Sequence, residues 1–130
     1  MKPYHFYSEE GLKWIEAHTG KIGLYALYHK ERCVYVGKAD CLFKRLRTHL
    51  RRRRDITTVA TYDLTSEMNG LSYDERKHLH AFRETVLIQK LKPIENIKRP
   101  MLSPECLWKM PIKVQEIIIN GLPSLTQPDT

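Results

Sequence analysis

Several features that would assign a function at sight are missing from this sequence. In its 130 residues no apolar run approaches the roughly 20 positions that cross a bilayer. The opening Met1-Lys2-Pro3-Tyr4-His5-Phe6 has none of the apolar stretch of a secretory signal, so a cytoplasmic protein is expected. Cys33, Cys41 and Cys106 are odd in number, far apart and without a C-x-x-C pair, which argues against a disulfide framework and a zinc site and leaves them as reduced filler. There is no internal repeat and no low-complexity tract. With 42% hydrophobic and 28% charged residues the composition is that of one ordinary globular domain.

What the chain does have is a localised excess of positive charge. Its formal charge is +7, from 22 Lys+Arg against 15 Asp+Glu. Residues 38–54 hold Lys38, Lys44, Arg45, Arg47, Arg51, Arg52, Arg53 and Arg54 against the single acid Asp40, so this one segment carries the whole imbalance. Such density is the electrostatic footprint of a nucleic-acid binder. A basic run by itself fits a solvated helix face equally well, and the residues around it decide between the two.

Ser8, Glu9, Glu10, Leu12 and Ile15 predict a short helix capped by Ser8 and ending near Thr19-Gly20, an N-terminal brace over residues 1–21. Ile22 to Tyr28 and Cys33 to Val36 are aromatic and β-branched around a polar break, as in a hairpin. From Asp40 onward Leu42, Phe43, Leu46 and Leu50 recur at helical spacing, so the basic block is an amphipathic helix. Thr57, Thr58, Val59, Thr61 and Tyr62 favour a third strand. Asn69-Gly70 marks a turn, and Ser72-Tyr73-Asp74-Glu75 is a capping box opening a long helix with Leu79, Phe82, Val86 and Leu87 on its buried face. Pro93 stops it. Beyond Asn96 prolines punctuate the chain around one further helix near Ile112 to Asn120, in an extension, 97–130, of unassigned role. The expected fold is α+β, a small, mostly antiparallel three-stranded sheet flanked by helices.

The hairpin and the basic helix carry a more specific pattern. Gly23-Leu24-Tyr25, then Tyr35-Val36-Gly37, then Arg45 and His49, followed by Glu84 and by Pro93-Ile94-Glu95-Asn96, resemble the signature of the GIY-YIG nuclease family over residues 22–96. The joint spacing carries the resemblance: eight positions from Gly37 to Arg45, four from Arg45 to His49, and twelve from Glu84 to Asn96. The stretch from Val34 to Leu46 is most similar to the nuclease half of the bacterial excision-repair subunit. The resemblance implies a divalent-metal-dependent endonuclease that hydrolyses DNA, with Glu84 as the ligand of Mg²⁺ or Mn²⁺ and Asn96 steadying the site.

The same residues make chemical sense alone. Arg45 and His49, at i and i+4, share a helix face, and a guanidinium fork suits a scissile phosphate. A lone carboxylate with waters and phosphate completing the shell is a habit of Mg²⁺. The general base is open between Tyr25 or Tyr35, whose phenols would need a cation such as Lys38 or the metal, and His49, whose ordinary pKa suits the task. Lys44, Arg47 and Arg51 to Arg54 read as a DNA track beyond the motif. His78-Leu79-His80 reads as surface, Trp14 and Trp108 as packing residues, and His5, His18 and His29 receive no role. The competing reading is a non-catalytic DNA-binding or scaffold module. DNA is the expected partner, with a homodimer or a targeting protein as further alternatives.

Overall fold

A computed structural model of the chain describes residues 4–5, 9–96 and 109–120. The elements run β1 (Tyr4–His5), α1 (Glu9–Glu16), β2 (Gly23–His29), β3 (Arg32–Ala39), α2 (Leu42–Arg52), β4 (Thr58–Asp63), α3 (Thr65–Met68), α4 (Tyr73–Leu91) and α5 (Ile112–Asn120). The predicted Ser8 cap, Cys106, Trp108 and the prolines at 100, 104, 123 and 128 lie outside the described residues. No helix among the described residues is long and apolar enough to cross a membrane.

The three expected strands form the antiparallel sheet, and the two-residue β1 adds to its far edge in the order β1-β4-β2-β3. That edge strand, and the single turn of α3, carry too few residues to show a period in sequence. The central strand β2 pairs with β3 on one side and β4 on the other, placing Tyr25 opposite both Gly37 and Thr61. Side chains alternate across a strand, so the sheet has two cores. One face buries Leu24, Ala26, Val36 and Tyr62 against Leu79, Leu87 and Ile88 of α4 and Val114 and Ile118 of α5. The other buries Tyr25, Leu27 and Val59 against Leu42 and Leu46 of α2 and Ile15 of α1, with Trp14 packed alongside as expected.

One irregularity interrupts the alternation. Leu27 faces Tyr35 while the next residue, Tyr28, faces Cys33, so Val34 is an extra residue in β3. This bulge puts the consecutive Val34 and Tyr35 on the α2 face, and Cys33 and Val36 on the α4 face. Bulges of this kind re-aim side chains beside active sites.

The capping box of α4 is present in full: Glu75 N–H donates to Ser72 Oγ, and Ser72 N–H donates to Glu75 Oε1 at 2.7 Å. The helix ends at Leu91, with Lys92 in the left-handed region at φ 49° just before Pro93. Its buried face differs from the expectation. Leu79 and Leu87 are buried, but Phe82 and Val86 are half-buried, and Ile88, His80 and Arg83 complete the inner stripe.

His80 corrects the surface reading of His78-Leu79-His80, since its side chain is 7% exposed and its Nε2–H donates to the Gly23 carbonyl at 2.8 Å. Among the described residues Arg83 is the largest fully buried side chain, and its guanidinium forks onto both carboxylate oxygens of Glu67 at 2.8 Å. A polar helix pattern hides both residues because their partners lie on other elements. Removing one member of such a pair strands the other charge inside the protein. Glu67→Ala is therefore expected to cost about 3 kcal/mol in urea unfolding, and Glu67→Ala combined with Arg83→Leu should recover most of that loss.

Candidate active site

The site forms at the β3 edge of the sheet, where the α2 face meets the hairpin. Tyr25 projects from the central strand across Gly37 of β3. A Cβ placed on Gly37 would fall inside van der Waals contact of the Tyr25 ring and Oη, so the absence of a side chain there is what admits the phenol. The phenol ends at α2, where Tyr25 Oη and His49 Nε2 lie 2.9 Å apart. Tyr35, aimed inward beside the bulge, closes the group: its ring centroid is 6.0 Å from that of Tyr25 and 5.8 Å from that of His49. Three rings brought from two strands and a helix thus form one cluster.

Its electrostatics follow from burial. Burial pushes the Tyr25 phenol well above its usual range, Tyr35 adds to the rise, and the Arg45 charge opposes it. Burial also pushes the His49 imidazole below its ordinary value, and the Arg53 and Arg45 charges act in the same direction. Both shifts favour a neutral phenol beside a neutral imidazole. Such a pair can pass a proton from the phenol to the ring nitrogen.

Glu84 stands on α4, one turn beyond His80, and is half-buried. Burial raises the pKa of its carboxyl, while Lys38 on β3 and His80 pull it back. The charge of Glu84 also reaches Tyr25. Among the described residues no group of three or more His, Cys, Asp or Glu side chains could enclose a metal ion. A single hard oxygen donor, partly withdrawn from water, fits a small divalent cation that keeps most of its own waters, as Mg²⁺ does; it does not fit zinc, which takes three or four protein ligands. Lys38 and Arg45 are both exposed and line a common cleft of about 450 Å³.

Asn96 acts on the backbone. Val36 N–H donates to Asn96 Oδ1 at 2.9 Å, and Asn96 Nδ2 donates to the Val36 carbonyl at 3.1 Å. Glu95 N–H donates to the Val34 carbonyl at 2.8 Å. The segment after Pro93 therefore supplies the outer edge of β3 with a hydrogen-bonding partner where Tyr35 and Gly37 flank Val36. Arg53 ties α2 to the same segment, forking onto Glu95 at 2.9 and 2.7 Å and onto Asp55 at 3.1 and 2.8 Å.

The structure thus brings Tyr25, Tyr35 and His49 into contact, sets Lys38, Arg45 and Glu84 around them, and makes Asn96 a clamp on the strand between the two motif halves. Of the basic residues assigned to a track, Lys44, Arg47, Arg51, Arg52 and Arg54 are exposed, with Arg47 lying over the Phe43 ring at 5.1 Å, whereas Arg53 is committed to Asp55 and Glu95. Sequence reasoning missed His80, which lies between Gly23 and Asp40, its Nδ1 3.8 Å from Asp40 Oδ1. Its position four residues before Glu84 was the available signal.

A three-stranded antiparallel sheet flanked by helices is the architecture of GIY-YIG endonuclease domains. No protein-family model matches the chain, and no curated protein does. Among solved structures it is similar to the GIY-YIG N-terminal endonuclease domain of UvrC from Thermotoga maritima. A tyrosine-to-phenylalanine point mutant of that domain, bound to its catalytic divalent cation, is 25% identical with a TM-score of 0.50, over 70% of this chain and 99% of that one. The same domain bound to magnesium is 24% identical with a TM-score of 0.50, over 69% of this chain and 99% of that one. The chain has the GIY-YIG domain fold, and its structural neighbours are nuclease domains, which supports a nuclease-type function.

Gly37→Ala tests the packing that builds the site. The added methyl is expected to displace the Tyr25 ring, cost about 1–3 kcal/mol by overpacking and break the contact with His49. A variant whose thermal midpoint and His49 ring resonances matched wild type would contradict this.

Proposed function

We propose that this chain is a divalent-metal-dependent endonuclease that hydrolyses DNA phosphodiester bonds, with residues 22–96 as its nuclease core, 1–21 as a brace and 97–130 as an extension. The observation that carries the reading is the contact between the Tyr25 phenol and the His49 imidazole beside a half-buried carboxylate, with two exposed cations at the same place. Hydrolysis needs a group to take a proton from water, charge to neutralise the phosphate oxygens, and donors to hold the phosphate.

Tyr25 accepts the proton of the attacking water as its own proton passes to His49 Nε2, so no free phenolate accumulates. His49 suits the terminal acceptor because burial and the Arg53 and Arg45 charges keep it neutral at pH 7. Tyr35 packs against both rings and holds them in line. Arg45 grips the phosphate under attack through its planar fork, and Lys38 adds charge beside it. Glu84 would hold the cation, Mg²⁺ or Mn²⁺, which when bound supplies Lewis-acid neutralisation of the phosphate oxygens. Asn96 keeps the β3 backbone fixed between Tyr35 and Gly37. Lys44, Arg47, Arg51 and Arg52 extend the phosphate contacts along the helix, and Arg54 continues them just past its end. These contacts position DNA without reading its sequence.

Plasmid nicking decides between this and a binding module of the same fold. Wild type should nick with Mg²⁺ and stop with EDTA, and Glu84→Gln should lower the rate at least a hundredfold while binding persists; pure wild-type protein that binds without nicking would establish the non-catalytic reading. Arg45→Ala should lower kcat by about 100-fold or more. Replacing Arg51, Arg52 and Arg54 together should instead weaken binding and flatten its salt dependence by roughly 0.9 per lost phosphate contact.

The pH profile follows from His49. As pH falls, the imidazole takes a proton and can no longer accept one from Tyr25, so activity is lost on the acid side. Its folded pKa is depressed below about 6.5, so the acid limb should have its midpoint below that value. A midpoint at or above it would exclude His49 as the acceptor.

A further inference from the structure

The cleft that Lys38 and Arg45 share continues away from the ring cluster along the first half of α4. Its other wall is one helix face, Tyr73, Arg76, Lys77 and His80 at spacings of three, four and seven residues. The basic track on α2 leaves this second wall unaccounted for. Its lining places Lys38, Arg45, Arg76 and Lys77 against the lone carboxylate of Asp40. Of the acids of the first turn, Glu75 is folded into the capping box, while Asp74 is exposed, its Oδ2 3.6 Å from a His78 Nδ1 that bonds the Asp74 carbonyl. Among the described residues neither Arg76 nor Lys77 has an ion-pair partner. Tyr73, 76% exposed, belongs to the same lining, a large ring left in water beside these cations.

We propose that this cleft holds an unpaired nucleotide of the DNA strand that enters the active site, its phosphates against Arg76 and Lys77 and its base stacked on Tyr73. The proposal rests on the nuclease reading for its choice of ligand. About 450 Å³ lies within the range of pockets that enclose a single small ligand, and it is far too little for a duplex. A base inside a duplex has both faces covered by its neighbours, so an aromatic platform can engage only a base that has left the stack. Tyr73 lies eleven residues before Glu84 on the same helix, roughly 16 Å along its axis. Arg45 lines the same cleft, so the stacked base lies close along the strand to the phosphate that Arg45 holds, and the preferred substrate carries a single-stranded segment beside the cut.

Fluorescence anisotropy in EDTA, where no cutting occurs, measures this directly. The probes are a short blunt duplex and the same duplex with a single-stranded tail at either end, the tail carrying 2-aminopurine. Wild type should bind one of the tailed probes about tenfold more tightly than the blunt one, with quenching of the 2-aminopurine as it stacks. Tyr73→Ala should bring the ratio of tailed to blunt affinity close to one and abolish the quench, Tyr73→Phe should keep both, and Arg76→Ser with Lys77→Ser should lower the ratio. Equal wild-type affinity for blunt and tailed probes, or an unchanged preference in Tyr73→Ala, would overturn the proposal. Plasmid nicking by a protein without tail preference would refute the cleft and leave the nuclease reading intact. A tail preference in a protein that cuts nothing would do the reverse.

Discussion

Everything at the candidate active site depends on one steric allowance, the passage of the Tyr25 side chain over Gly37. Tyr25 comes from the central strand and is itself buried, so its phenol can reach α2 only by crossing the neighbouring strand. The missing side chain at Gly37 opens that route. The length of the phenol then sets where α2 must present His49, and the buried Leu42 and Leu46 of that helix hold it there. Packing and chemistry are the same contact, because the ring that fills the α2-side core carries the hydroxyl that meets the imidazole.

A second constraint keeps that crossing in register. β3 is the outer strand beside β2, and an unpaired strand edge leaves a row of N–H and C=O groups without partners. Here the segment after α4 pairs with it, Asn96 satisfying both backbone groups of Val36 and Glu95 bonding to Val34. Arg53 joins the end of α2 to the same segment and to Asp55. Strand, basic helix and the end of the long helix are thus tied around the rings, and Arg53, an arginine of the basic run, serves architecture. Arg51 and Arg52, exposed on α2, keep the electrostatic character of the run.

Charge is divided between two walls that meet at Lys38 and Arg45. The stripe on α2 is dense and continuous, while the cations of α4 are few and stand beside an exposed aromatic ring. The ion pair of the buried Arg83 with Glu67 ties α4 to α3.

Much of this was legible in the linear chain because it is written in local periods. Alternation and β-branched residues marked the three strands, the Ser72 to Glu75 box and Pro93 bounded α4, and the spacing from Gly23 to Asn96 selected the residues that now surround the site. His80 and Arg83 were not legible, since a polar residue on a helix is buried only when a partner from another element satisfies it: the Gly23 carbonyl in one case, Glu67 in the other. The bulge at Val34, the edge strand β1 and the second wall of the cleft were hidden for the same reason, being relations between segments and not properties of one. The sequence by itself determined on which elements the candidate side chains sit. Only the tertiary structure decided that Tyr25 meets His49, that Arg53 latches and does not contact the open stripe, and that Tyr73 borders a cationic cleft, because each of these depends on where separate elements come to rest against one another.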